Sequence, residues 1–120
     1  MDPSNEREDS GGTGMSVNLM AVFWPSEGAE VDLENALRAS IPAVHEEPGC
    51  VLYAVFHADN GSFVLLEKWE SEELLHRHSG GSAVAELSEA VEAHLASEPE
   101  VVRLLGIPVG DTDRGIFDSV

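Results

Sequence analysis

In the stretch FVLLEKWESEELLHRH, residues 63–78, an apolar run ends on a tryptophan, and acids and two histidines follow at once. Imidazole takes and gives protons near neutral pH, a carboxylate holds them, and indole makes a flat apolar wall with one donor. The same residues also make a plain strand followed by a helix cap. His76 and His78 invite a metal reading, but positions two apart on a helix point to nearly opposite sides and cannot share an ion. Cys50 is the only cysteine, which excludes an internal disulfide and a cysteine-cluster metal centre. Tyr53 and His57 have the same strand parity, together with Val51 and Val55, and so share one face. Tyr53 is placed either to donate to a ligand oxygen or to pack at a dimer interface. Glu67 falls on the face of Leu65 and Trp69; a carboxylate buried there needs a partner, and Arg103 is the expected one. His94, on an apolar helical stripe, reads as a core histidine with its hydrogen bonds met.

These side chains need strands and helices to hold them. SVNLMAVFW (16–24) reads as a strand ended by Pro25, and a helix follows from about Glu27 to His45, with Leu33, Leu37, Ile41 and Val44 at helical spacing. Pro42 predicts a kink or an early stop, because proline removes one helical hydrogen bond. EEPGC (46–50) is a turn, CVLYAVF (50–56) a strand, HADNGS (57–62) a loop with an Asn-Gly pair, and FVLLEKW (63–69) a third strand. Ser71 is the expected N-cap of a short helix whose first turn carries Glu72 and Glu73. SGGS (79–82) interrupts it, a second helical segment carries Val84, Leu87, Val91 and Leu95, and EVVRLLGI (100–107) is the fourth strand. The order β-α-β-β-α-β predicts an α+β, ferredoxin-like fold with an antiparallel four-stranded sheet. Residues 15–107 form its domain. Residues 1–14, polar and Gly/Ser-rich, are expected to be disordered, and 108–120 form a C-terminal arm bearing Ile116 and Phe117.

Two helices cover only one face of such a sheet. A sheet with water on its other face alternates apolar and polar residues, whereas VNLMAVF, CVLYAVF, FVLL and VVRLL are apolar on both. A homodimer with sheets packed face to face is therefore expected. The 120 residues carry a net charge of −17, which disfavours nucleic acid and anionic membranes as partners. No segment reaches the roughly eighteen apolar residues of a membrane span, and no secretory pattern opens the chain, so a cytoplasmic location is expected. No G-x-G-x-x-G follows a strand and there is no P-loop.

EPGC, a strand, a short hairpin and then F-V-L-x-E-x-W-E-x-E-x-x-L-x-x-H together resemble the antibiotic biosynthesis monooxygenase family. Here these are Glu47-Pro48-Gly49-Cys50, Phe63, Val64, Leu65, Glu67, Trp69, Glu70, Glu72, Leu75 and His78, and the resemblance spans about residues 17–107. It implies a dimeric α/β barrel with a small pocket between sheet and helices in each subunit. It further implies oxidation of a hydroquinone or small polycyclic phenol by dioxygen with neither metal nor flavin. A deprotonated polyphenol gives up electrons singly, so the substrate itself replaces a cofactor. On this resemblance Trp69 lines the pocket and His78 is the candidate base, while Tyr53, Leu65 and Leu75 are substrate-binding positions. The plain alternatives are a core tryptophan whose N–H closes a turn and a helix-end histidine. Leu65 stands where polyketide-tailoring members carry asparagine, and Leu75 where they carry tyrosine. Their helical arginine falls near Ser88 or Glu89. The asparagine and ligand histidine of haem-degrading relatives would fall near Ala21 and Ser88, so haem is not expected. The alternative to an enzyme is a dimeric module that binds an apolar small molecule without chemistry.

Overall fold

The computed structural model describes residues 16–117. The expected disordered segment 1–14 lies outside the described residues, as do 118–120. Strand β1 (Val17–Phe23) is followed by helix α1 (Glu30–His45), strands β2 (Cys50–His57) and β3 (Phe63–Trp69), helices α2 (Glu72–Ser79) and α3 (Ser82–Glu92), and strand β4 (Glu100–Leu104). All pairings are antiparallel and the sheet order is β2-β3-β1-β4, the ferredoxin-like arrangement expected from the order of elements.

Strands β1 and β3 are central, which is why both are apolar on both faces. Val17 pairs with Trp69 and Phe23 with Phe63, and Asn18 pairs with Leu104 on the other side. This register puts Val17, Ala21, Phe23, Phe63, Leu65 and Trp69 on one face, under the helices, where they meet Leu33, Leu37, Ile41 and Val44 of α1 and Ala83, Leu87 and Val91 of α3. Strand β4 stops at Leu104 rather than continuing to Ile107, because its partner β1 begins at Val17 and runs out.

Several boundaries move for local reasons. Helix α1 starts three residues later than expected, since Gly28 has φ +81° and cannot join a right-handed helix, while Ala29 donates to Ser26 O at 2.9 Å. It does not stop at Pro42 but runs on to His45. Pro42 and Arg38, one turn earlier, are both exposed, so water can serve the carbonyl that loses its partner. In strand β2 the register shifts between Cys50 and Leu52. This bulge takes Val51 out of the alternation and leaves it exposed, so Val51 does not share a face with Tyr53 as simple parity predicts. The β2–β3 connection is a five-residue loop in which Ala58 N donates to Ser62 O at 2.8 Å and Gly61 alone takes positive φ.

The other sheet face is half covered. Met20, Val22, Leu52, Ala54, Val64 and Leu66 are partly buried, while Phe56, Val102 and Leu104 are exposed. The chain does supply some cover that the count of elements missed. The C-terminal arm returns to Lys68, whose Nζ donates to Phe117 O at 3.1 Å and sits 4.7 Å from the Phe117 ring centroid. Lys68 is thereby buried. The approach to it, Leu105, Ile107 and Val109, leaves its apolar side chains in solvent.

Candidate active site

The site forms where the end of β3, the middle of β2 and helix α2 converge. Ser71 is the N-cap of α2: its Oγ accepts from Leu74 N at 3.2 Å, a bond that stabilises such a helix by about 1 kcal/mol. With the start fixed, the helical period turns Leu75 and His78 inward and His76 outward. The two histidines therefore sit on different faces, as expected, and among the described residues no group of histidine, cysteine and carboxylate side chains is arranged to hold a metal.

Trp69 is 0% exposed and His78 5%. Their ring centroids lie 4.3 Å apart with planes tilted by 32°. Tyr53 meets both edge-on, at 5.5 Å from His78 and 6.3 Å from Trp69. Aromatic pairs of this kind add about 1 kcal/mol each beyond their buried area. The structure thus brings three of the five expected site residues into one cluster. Leu75 is buried one turn before His78, and Leu65 is buried in the core beneath α1 and α3. Among the described residues, cavities of about 270 Å³ open elsewhere, one beside Ser88, Val91 and Glu98, another beside Arg38, Phe56 and His57.

Two carboxylates serve the cluster. Trp69 Nε1 donates to Glu67 Oε1 at 2.9 Å, and His78 Nδ1 lies 2.7 Å from Glu47 Oε1. The expected pairing of Glu67 with Arg103 does not occur. Leu19 of β1 stands between them in the sheet, and Arg103 instead pairs with Glu72. Burial pushes the Glu67 carboxyl above the ordinary glutamate range, against the opposing pull of the Trp69 bond and of His78. Burial, then Glu67, Glu47 and Cys50, pushes the Tyr53 phenol well up, so it stays a hydrogen-bond donor at neutral pH. The Cys50 thiol is raised by burial and by Glu47 and Glu67, which makes it a poor nucleophile.

The geometry also places three other residues. Tyr53 turns under the helices and not onto the open sheet face. His57 shares that face, as parity predicts, but lies at the far end of β2, where its ring stacks on Phe63 at 4.2 Å and stays apart from the cluster. His94 lies past the end of α3, half-buried, where its carbonyl accepts from Ser26 N at 2.8 Å. The residue that sequence reasoning missed is Glu47. It lies 31 positions from His78, too far for any local spacing to reveal, and only its place in the E-P-G-C turn drew attention to it.

No curated protein matches the chain. Among solved structures, Rv0793 from Mycobacterium tuberculosis is similar at 26% identity and a TM-score of 0.71, over 81% of this chain and 100% of that one. PA3566 from Pseudomonas aeruginosa is similar at 26% identity and a TM-score of 0.68, over 77% of this chain and 94% of that one. A crystal structure of an antibiotic biosynthesis monooxygenase shares the fold, with 22% identity and a TM-score of 0.69 over 77% of this chain and 99% of that one. The family model that matches residues 16–90 takes in β1 through most of α3, and with them Glu47, Tyr53, Glu67, Trp69 and His78: the chain belongs to the antibiotic biosynthesis monooxygenase family.

Proposed function

We propose that this protein is a cofactor-independent monooxygenase of the cytoplasm that oxidises a hydroquinone or small polycyclic phenol with dioxygen, working as a homodimer. One observation carries the reading: a buried imidazole with one nitrogen held by a carboxylate lies against an indole face and a phenol. Among the described residues the other nitrogen, Nε2, meets no hydrogen-bond partner. That is what proton removal from a flat phenol asks for. Nε2 of His78 takes the phenolic proton, Trp69 gives the ring a flat wall, and the protonated Tyr53 hydroxyl donates to the developing oxyanion. The phenolate passes one electron to dioxygen, and the two radicals combine at a ring or benzylic carbon. One oxygen atom ends in the product carbonyl and the other leaves as water.

The family is generally dimeric. The exposed Phe56, Val102 and Leu104, continued by Leu105, Ile107 and Val109, make an apolar surface suited to a second copy. Among the described residues no helix is long and apolar enough to cross a membrane.

Oxygen uptake by the metal-stripped protein with an anthrone or a naphthohydroquinone tests the reaction. Uptake above the autoxidation blank is expected. His78→Ala should lower it by about a hundredfold or more, and Trp69→Phe by less. Uptake equal to the blank across several such substrates removes the reading. A second reading, an apolar-ligand module without chemistry, is favoured by Leu65 and Leu75, two buried aliphatic side chains with no polar head to offer a substrate. It predicts saturable binding of the same compounds with no oxygen consumed.

A further inference from the structure

The turn that carries Glu47 is pinned in place independently of any ligand. Gly49 takes φ +84°, and its carbonyl accepts from Glu70 N at 2.9 Å. A β-carbon at Gly49 would lie 2.7 Å from Leu74 Cβ, so only glycine lets the turn seat against α2. The carboxylate of Glu47 then has two neighbours. Oε1 faces His78 Nδ1. Oε2 faces Gly81, the N-cap of α3, where a β-carbon would come within 3.1 Å of it. A negative charge is favoured beside a helix N-terminus, which holds this carboxylate where it is.

A carboxylate can only accept, so the bond at 2.7 Å requires the proton on Nδ1 of His78. We propose that Glu47 is a positioning residue: it fixes His78 in the tautomer protonated at Nδ1 and so presents Nε2 as the proton acceptor to a phenolic hydroxyl lying against Trp69 and Tyr53. The catalytic consequence rests on the oxidation proposed above, whereas the tautomer does not. In the step itself the substrate O–H bond breaks, an N–H bond forms at Nε2, and the electron pair stays on the phenolic oxygen. The imidazolium so formed keeps its Nδ1–H on Glu47, whose charge stabilises it without accepting the proton.

Long-range 1H–15N correlation spectra of the full-length protein at mildly alkaline pH read the tautomer directly. Wild type should show His78 neutral and protonated at Nδ1. Glu47→Ala should release it to the Nε2-protonated form or to a mixture, and Glu47→Gln, whose amide both accepts and donates, should populate both forms while keeping the shape of the turn. A wild-type ring protonated at Nε2, or at both nitrogens, overturns the proposal without any variant. So does an unchanged tautomer in a folded Glu47→Ala. With a substrate that is turned over, Glu47→Gln should lower kcat by about ten- to a hundredfold and leave KM nearly unchanged, while Glu46→Gln, next along and exposed, changes neither. A rise in KM alone would assign Glu47 to substrate binding and overturn positioning. An Nδ1-protonated His78 in a protein that oxidises no phenol removes the reaction and leaves the positioning standing.

Discussion

The two faces of one sheet are built on opposite plans. Under the helices, the row that runs through Tyr53 and Glu67 is flanked by Trp69 and closed by His78, so three buried rings pack together and two of them are hydrogen-bonded to carboxylates. On the open face most side chains are aliphatic or phenyl and stand partly in water; Asn18 and Lys68 are its buried polar residues, and among the described residues the returning arm at Lys68 covers part of it. A buried polar group must be matched residue by residue, because an unmet one costs about 1–3 kcal/mol. An apolar face asks only for area. The inner face therefore specifies a chemistry, and the outer face specifies a neighbour.

The contrast can be broken most sharply at Trp69. Its replacement by alanine should lower the unfolding free energy by about 3–5 kcal/mol, a large part of what a domain of this size has, as a shift in urea midpoint would show. A small loss would mean that the indole is not packed as described. On the outer face, Phe56→Asp combined with Val102→Asp should leave folding nearly intact yet weaken self-association by about a hundredfold or more, read by sedimentation at micromolar protein. A variant that stays as associated as the wild type, or a wild type that never associates, would show that this surface meets no second copy.

The smallest effect sharpens the electrostatics. The Glu67 carboxyl is raised by burial, so between its unfolded and folded values the native state holds more proton than the unfolded chain. Stability must then fall as pH rises from the ordinary glutamate value through the raised folded-state value, and stay lower beyond it. Glu67→Gln keeps an acceptor for the Trp69 N–H and abolishes this titration. Urea midpoints over a pH series should be flatter for the variant, and equal slopes would refute the buried charge.

What was legible in the sequence was whatever neighbouring residues decide. Strand β3 begins at Phe63 and ends at Trp69 as expected, and Ser71 caps α2, because alternation, caps and turns act over a few positions. The misplaced starts and ends have one kind of cause. Gly28 delays α1 by its own φ, the bulge at Val51 shifts a strand by one, and β4 ends where its partner does. The site was half visible. Trp69 and His78 stand in one short stretch, and Glu67 lies two residues before Trp69 on the same strand face, but other partners are chosen across the fold: Glu47 for His78 and Glu72 for Arg103. No periodicity links such pairs, and the guess that joined Glu67 to Arg103 failed because it counted charges without the strand between them.

The chain has two tryptophans, and the fold treats them differently: Trp69 is sealed beside an imidazole, while Trp24 is 41% exposed. Their emission should separate by wavelength and by access to a dissolved quencher such as iodide. Replacing Trp24 with phenylalanine would leave a single tryptophan, stationed at the inner cluster and excited selectively at wavelengths where tyrosine does not absorb. Arrival of any flat ligand there would then be visible as a change of light, before any reaction is known.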